Sequence, residues 1–448
     1  MRHVVPLLLS TARILQDGTA FVVVPISSSA DLSSGMLRNM KRPAATSPVR
    51  SSSSGSDGRS GNVNSESGSN PSSIGDRAAG IFQEGLKITR GGFSIGAAGA
   101  ALAALLAPSA AADVGDKRTV VITGANSGIG LDAATKLVAM GHDVHVACRT
   151  EAKAKAAAEA SGAAGAFVCD LSSLESVRGF ADSWGGKPID TLCLNAGMAP
   201  STKGSPGYCK DGFEETVGTN HLGHFLLANL LIKPLEAGPS RKPRLVVTAS
   251  SVHDPDTPGG NQGSKATLGD MSGLEAYLAA EGGSKKFDMV DGGDYDGDKA
   301  YKDSKLCNVF FTLEAQRRLS ARRSGVQVDC FSPGLIPSSG LFRNQNPIFS
   351  KIFDFAATNI IKARALFALF LHVAATIGQG GDTLVEMVTL LSLQDGAAGG
   401  RFFATEPGKP DSSFSEQAVS VEAQDTAKAK RLWELSAGCV GLGSRTPI

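Results

Sequence analysis

The chain has 448 residues, 42% hydrophobic and 19% charged, with 53 Gly and a formal net charge of +1. So balanced a charge speaks against a nucleic-acid partner and against strong electrostatic capture of an acidic substrate. A single α/β catalytic domain takes about 250–330 residues, which leaves a surplus, and the composition places it at the N-terminus.

Residues 1–112 differ from the rest. A short apolar start (4–9, then 20–26) passes into a Ser/Gly/Asn-rich run over 47–73 with too few large apolar side chains to fold, so disorder is expected there. Arg, Ser and Ala outweigh acids in this segment, as in an organelle-targeting leader. Arg90 is followed by an uncharged stretch over 91–112 that ends in small residues before Asp113. It reads as a second, cleaved targeting signal or as a retained membrane anchor, since about 20 apolar residues can span a bilayer. A plain Ala/Gly linker is the weaker third reading, because Leu102, Leu105 and Leu106 make the middle markedly apolar. Residues 113–448 are expected to form one catalytic domain.

From Arg118 the apolar pattern alternates between strand and helix. A strand is expected over 119–122, a helix over 130–139 and a strand over 144–147. Buried strands follow over 166–169, 191–194, 245–248 and 326–331, with 401–403 last and helical stretches between them. This predicts an α/β fold of Rossmann type: a doubly wound, mainly parallel sheet with helices on both faces.

The first strand runs into Thr123-Gly124-Ala125-Asn126-Ser127-Gly128-Ile129-Gly130, which opens a helix. Gly124, Gly128 and Gly130, with Asn126, Ser127 and Ile129, suit a tight turn that brings a pyrophosphate to the helix N-terminus. The second strand ends in Cys148-Arg149, without the acid that would bond a ribose 2′-hydroxyl. Arg149, with Lys153 one turn on, can pair a 2′-phosphate, which selects NADPH over NADH; the alternative is a solvated basic helix start. Asp170, after the third strand, either accepts from an adenine amino group or caps the next helix.

Asn195-Ala196-Gly197 follows the fourth strand as a small-residue turn along which a cofactor can lie. Asn220 is a polar residue inside an apolar helix, where a kink holding a water is expected. His221 and His224 read as packing or surface residues. Ser250 follows a buried strand and so lies at the C-terminal edge of the sheet, where ligands bind in such folds. Tyr301 and Lys305, at i and i+4, share one helical face, and Lys305 is expected to lower the Tyr301 phenol from its ordinary ~10. The seven cysteines, odd in number and scattered, do not read as a disulfide framework, and a reducing compartment follows. No metal-ligand spacing is present, so no metal is expected.

The Gly-rich turn, Asn195-Ala196-Gly197, Asn220, Ser250 and the Tyr301/Lys305 pair, in that order, resemble the short-chain dehydrogenase/reductase family over roughly residues 118–404. The resemblance implies a tetrad: Tyr301 as acid/base, Ser250 orienting substrate, Lys305 on the nicotinamide ribose and Asn220 holding a relay water. It also implies that Pro333, Gly334 and Ser338 form the loop against the nicotinamide.

A narrower resemblance, to the light-dependent protochlorophyllide oxidoreductase branch, rests on other features. One is the 252–300 insertion, with Leu268-Gly269-Asp270-Met271 and Met289-Val290-Asp291-Gly292-Gly293-Asp294-Tyr295. Others are Val217-Gly218-Thr219-Asn220-His221-Leu222-Gly223-His224, Gly340-Leu341-Phe342-Arg343 and the tail from Asp425 to Glu434. It implies reduction of the C17=C18 bond of protochlorophyllide in chlorophyll biosynthesis, in a plastid, with light, NADPH and a proton from Tyr301. Association with the plastid membrane and a homo-oligomer stay open. Where that branch has Tyr-Pro-Gly-Cys, this chain has Ser332-Pro333-Gly334-Leu335, and Leu335 can neither donate a proton nor bond a polar group. A light-independent carbonyl reductase acting on an apolar substrate is therefore the alternative, and a pigment-binding scaffold a third. The apolar 344–380 region reads as a lid over a flat ligand, a membrane-facing helix or an ordinary core helix.

Overall fold

The computed structural model describes residues 117–448, apart from 201–203, 241, 281–284, 337–374, 390–398, 407–411 and 444–445. The leader, Ser338 and the apolar region as far as residue 374 lie outside the described residues. Strands β1 (Thr119–Thr123), β2 (Asp143–Cys148), β3 (Gly165–Val168), β4 (Thr191–Leu194) and β5 (Arg244–Thr248) are joined by β6 (Gln327–Phe331), β7 (Arg401–Ala404) and β8 (Ser415–Gln417). They form one sheet in the order β3-β2-β1-β4-β5-β6-β7-β8. Every neighbouring pair is parallel except β7–β8.

The expected last strand, 401–403, is thus not the last. The short antiparallel β8 follows it, and its sequence Ser-Glu-Gln carries no apolar signal because the strand is an edge.

The helices are α1 (Gly128–Ala139), α2 (Glu151–Ser161), α3 (Leu174–Trp184), α4 (Glu215–Val217), α5 (Gly223–Glu236), α6 (Ser272–Ala279), α7 (Gly297–Ala321), α8 (Ile377–Thr389) and α9 (Thr426–Cys439). Successive residues of a strand face opposite sides, and β1 shows it. Val121 joins Phe180 of α3, Leu226 of α5, Leu306 of α7 and Leu432 of α9 in one core. Val120 and Ile122 join Leu137 of α1, Ala154 of α2 and Leu384 of α8 in the other. With both faces covered, β4 and β5 are buried throughout, hence the apolar runs Leu192–Leu194 and Leu245–Val247 within them. Local chemistry sets the helix limits: Thr150 and Ser173 cap α2 and α3 at the start, and left-handed Gly162 and Gly185 end them.

The insertion is packed into the fold. Asp303 of α7 accepts the Thr267 N–H (2.9 Å), while Lys299 donates to the Thr267 carbonyl (2.7 Å) and pairs with Asp303 (2.5 Å) and Asp291 (3.0 Å). Lys302 holds the Gln262 and Ser264 carbonyls and Asp298. Tyr277 of α6 lies against Phe213 (ring centroids 4.9 Å) and donates its hydroxyl to the Asp211 carbonyl (2.7 Å). The tail docks through α9, whose Trp433 stacks on Phe311 of α7 (5.7 Å, interplanar 2°). Among the described residues, no helix is long and apolar enough to cross a membrane.

Candidate active site

The sheet order reverses beside β1, which has β2 on one side and β4 on the other, so a crevice opens at the C-terminal ends of β1 and β4. The glycine turn leads out of β1 there. Gly124 is left-handed (φ 68°), and a Cβ on it would come within 2.7 Å of the Ala196 Cα, so only glycine lets the two turns touch. A Cβ on Gly130 would meet the Asn195 amide nitrogen at 2.6 Å. Helix α1 begins at Gly128, two residues before the expected start, with no acid in its first turn and no side-chain cap from Ser127. Its first N–H groups are thereby left for an anion.

Thr123 ties this end together. Its Oγ1 accepts the Asn195 N–H (2.9 Å) and the Ala196 N–H (3.0 Å), and its carbonyl accepts from the Asn195 side chain (2.8 Å). Asn195 Oδ1 is buried with no hydrogen-bond partner among the described residues. A sugar hydroxyl or amide donor would satisfy it, and with the bare α1 terminus and exposed Gly197 the residues present fit a dinucleotide. Arg149 is exposed at the end of β2, and Lys153 is half-buried in the first turn of α2. Asp170 does not cap α3; Ser173 does. Asp170 Oδ1 instead accepts from the Ser172 N–H (3.1 Å) and hydroxyl (2.7 Å).

Asn220 sits in a π turn (Gly218–Leu222) between α4 and α5, the local form taken by the expected kink. Its amide is a clamp: Oδ1 accepts the Met198 N–H (2.8 Å), and Nδ2 donates to the Met198 carbonyl (2.9 Å) and to Ser304 Oγ (3.0 Å). Both amide hydrogens are therefore engaged within the protein. Ser304 in turn donates to the Tyr301 carbonyl (2.6 Å), so the turn after β4, the π turn and α7 are locked to one another. A Cβ at Gly197 would lie 3.5 Å from Asn220 Oδ1 and 3.6 Å from Lys305 Nζ, which puts Gly197, Asn220 and Lys305 side by side.

Lys305 donates to the Thr248 carbonyl (3.3 Å) at the end of β5, and its Nζ lies 5.6 Å from the Tyr301 ring centroid. Ser250 stands two residues beyond Thr248 and accepts the Val252 N–H (3.4 Å) at the head of the 3₁₀ turn Ser251–His253, against which α7 packs. The loop after β6 closes on this one: Ser332 Oγ accepts the Ser251 N–H (3.1 Å), Gly334 is left-handed (φ 82°), and the Leu335 carbonyl accepts the Ala375 N–H (2.8 Å). Pro333 lies half-buried between them.

One electrostatic expectation is corrected. Lys305 does not draw the Tyr301 phenol down; burial pushes the phenol well above its ordinary range. Burial also pushes the Lys305 amine down, to about 8. Both groups are driven toward their neutral forms, because a low-dielectric surround penalises whichever form is charged. Tyr301 therefore holds its proton at neutral pH. His221 and His224 are both buried rather than on the surface, and all seven cysteines are free and buried.

Sequence reasoning missed Ser304 and Ser332. The signal for Ser304 was its place inside the Tyr301/Lys305 turn. Ser332 showed only as a departure from the branch's motif, and its bond to Ser251 was hidden because that partner lies 81 residues away.

A family model described as short chain dehydrogenase matches residues 118–272. Protochlorophyllide reductase A, chloroplastic, of Oryza sativa subsp. japonica is 39% identical over 331 residues, covering 72% of this chain and 80% of that protein. Protochlorophyllide reductase, chloroplastic, of Chlamydomonas reinhardtii is 38% identical over 335 residues, covering 73% of this chain and 79% of that protein. A crystal structure of an uncharacterized protein from Mycobacterium paratuberculosis shares the fold at 28% identity and a TM-score of 0.51, covering 72% of this chain and 93% of that one.

Proposed function

From the premise that this chain belongs to the short-chain dehydrogenase/reductase family and is an NADPH-dependent oxidoreductase, we propose that it is a light-driven protochlorophyllide reductase of plastids or a close paralogue. The observation that carries the reading is the placement of Tyr301 one turn from Lys305 on α7, with Asn220 and Gly197 beside the amine. When bound, NADPH supplies the hydride that reduces the C17=C18 bond. The chain supplies the rest. Tyr301 holds the proton for the other carbon, and Ser250 orients the substrate at the edge of β5. Lys305, beside Gly197, would hold the nicotinamide ribose, and Asn220 keeps the turn after β4 against α7. Gly124, Asn126, Ser127, Gly128, Ile129 and Gly130 take the pyrophosphate, Asn195 and Ala196 the adjoining sugar, and Asp170 the adenine. Pro333 and Gly334 would stand against the nicotinamide, and Ser338 is assigned to the same loop by the family resemblance alone.

Arg149 and Lys153 are assigned to the 2′-phosphate. Arg149→Ala is expected to raise the KM for NADPH about tenfold, the worth of one charge-assisted hydrogen bond, and to leave that for NADH nearly unchanged. Equal rises for the two cofactors would remove Arg149 from cofactor selection. The leader over 1–112 is read as the import signal, and retention of 91–112 would put the enzyme at a plastid membrane.

Leu335 favours a second reading. An apolar side chain that can neither donate nor accept stands where a proton donor would help a photoreaction, and a light-independent reductase of an apolar carbonyl compound has no need of one. A brief flash given to the full chain with NADPH and protochlorophyllide separates the two. Loss of the pigment band and growth of a red-shifted product band only after light supports the photoenzyme. Pigment binding without conversion points to a paralogue disabled at Leu335, and no binding favours the dark reductase.

A further inference from the structure

Two buried histidines stand behind the proposed tetrad, and neither takes part in the chemistry assigned to it. His224, on α5, lies 3.0 Å through Nδ1 from the Asn220 carbonyl and 2.9 Å through Nε2 from Thr123 Oγ1. His253, closing the 3₁₀ turn, lies 2.7 Å through Nδ1 from the Ser250 carbonyl, and its Nε2 accepts the Ser420 N–H at 3.2 Å. A carbonyl can only accept, so each Nδ1 must carry a hydrogen. At His253, Nε2 must then be bare, because it faces an N–H donor. At His224, Thr123 Oγ1 already accepts two backbone N–H groups, and its one proton has two acceptors in reach, the Cys193 carbonyl (3.3 Å) and Nε2 (2.9 Å); the shorter contact is the one a bare Nε2 would accept.

Burial favours this neutral state: it pushes His224 down to about 4 and His253 below its ordinary value. Both rings are thus assigned the tautomer protonated at Nδ1, the reverse of the form a free histidine side chain prefers.

We propose that His224 and His253 are positioning residues: each uses its Nδ1–H to hold the main-chain carbonyl of a proposed tetrad residue, Asn220 and Ser250 respectively, in one place. The distant ends of the two links explain what they hold against. His224 ties the π turn to Thr123, which also anchors Asn195 and Ala196, so Asn220 is fixed to the nucleotide end of the crevice. His253 ties the Ser250 loop to Ser420, and its ring stands edge-on to Phe402 of β7 (centroids 4.9 Å). Two residues past Ser420, Glu422 accepts the Leu268 N–H of the insertion (3.0 Å). The C-terminal segment therefore holds the serine loop and the insertion together. His221 offers the contrast: buried in the same turn, it meets Ser436 Oγ (3.0 Å) on α9 and belongs to the core.

The proposal rests on the reading of Asn220 and Ser250 as site residues, and its first test needs no substrate. Nitrogen-15 NMR of the histidine-labelled full chain at neutral pH reads each ring's tautomer, with His224→Asn and His253→Asn assigning the signals. Two rings protonated at Nδ1 and bare at Nε2 are expected. An Nε2–H tautomer, an averaged signal or a charged ring at either position overturns the role there.

Kinetics then separates positioning from packing. His253→Phe keeps the ring contact with Phe402 and loses the donor, whereas the side-chain amide brought in by His253→Asn can restore a donor toward the Ser250 carbonyl. His253→Phe is expected to lower kcat about tenfold with NADPH affinity unchanged, and His253→Asn to recover most of it. Equal losses in both variants, or a loss that follows the thermal midpoint, overturns the positioning role. Absence of protochlorophyllide turnover by the wild type would count against the proposed function and leave the tautomers read by NMR standing.

Discussion

Tyr301→Phe is expected to lower turnover by about 10²–10⁴-fold, the usual worth of a positioned general acid, with NADPH affinity unchanged. The substitution removes one hydroxyl. The ring that faces Lys305 at 5.6 Å remains, and so does the main-chain carbonyl that Ser304 holds at 2.6 Å, so the clamp through Ser304 to Asn220 is undisturbed. Burial keeps the phenol protonated at neutral pH, which makes the missing proton the whole difference between the two proteins. Single-turnover product formation beside NADPH fluorescence titration measures both quantities. Product formed at the wild-type rate would take Tyr301 out of the mechanism.

Lys305→Met is expected to be more stable than the wild type at pH 7 and inactive. Burial lowers the Lys305 amine to about 8 from its ordinary 10.5. Below about pH 8 both the folded and the unfolded chain carry the proton, so the fold keeps a buried ammonium at a cost on the order of 3 kcal/mol. Between about pH 8 and 10.5 the folded chain has lost the proton and the unfolded chain has not. Stability should therefore rise with pH across that window, and the penalty is gone above it.

Methionine fills a similar volume without the charge. The Thr248 carbonyl that loses Lys305 keeps the Asn308 amide at 3.2 Å, so no acceptor is orphaned. A gain of about 1–3 kcal/mol at pH 7, shrinking toward pH 10.5, is the expected result after allowing for the lost hydrogen bond. Thermal unfolding of both proteins without cofactor at pH 7 and pH 10 checks it; a less stable variant at pH 7 would show that the amine is not a buried charge. A gain in stability with loss of turnover is what a strained functional group leaves behind when it is removed.

Periodicity and local backbone chemistry determined much of this protein directly from its sequence. The alternation of apolar runs with helical stretches placed β1 to β7 within a residue or two of their limits, because a strand buried on both faces has little but apolar side chains to show. Gly124, Gly128 and Gly130 marked the turn because the required φ and close approach exclude a Cβ. Tyr301 and Lys305 could be placed on one face from their spacing alone.

What only the tertiary structure decided are contacts between elements far apart in the chain. The Asn220–Ser304 bond spans 84 residues, and the bond from Ser420 to His253 spans 167. No periodicity encodes either, since both depend on which strand lies beside which after the crossover at β1. The edge strand β8 escaped for a related reason: its pairing comes from the exposed backbone of β7, not from its own side chains. The state of Tyr301 was misjudged because the sequence supplies a cation at the right spacing but not the burial that outweighs it. Charge stabilisation is a property of the surrounding dielectric, and that exists only once the chain has closed around the site.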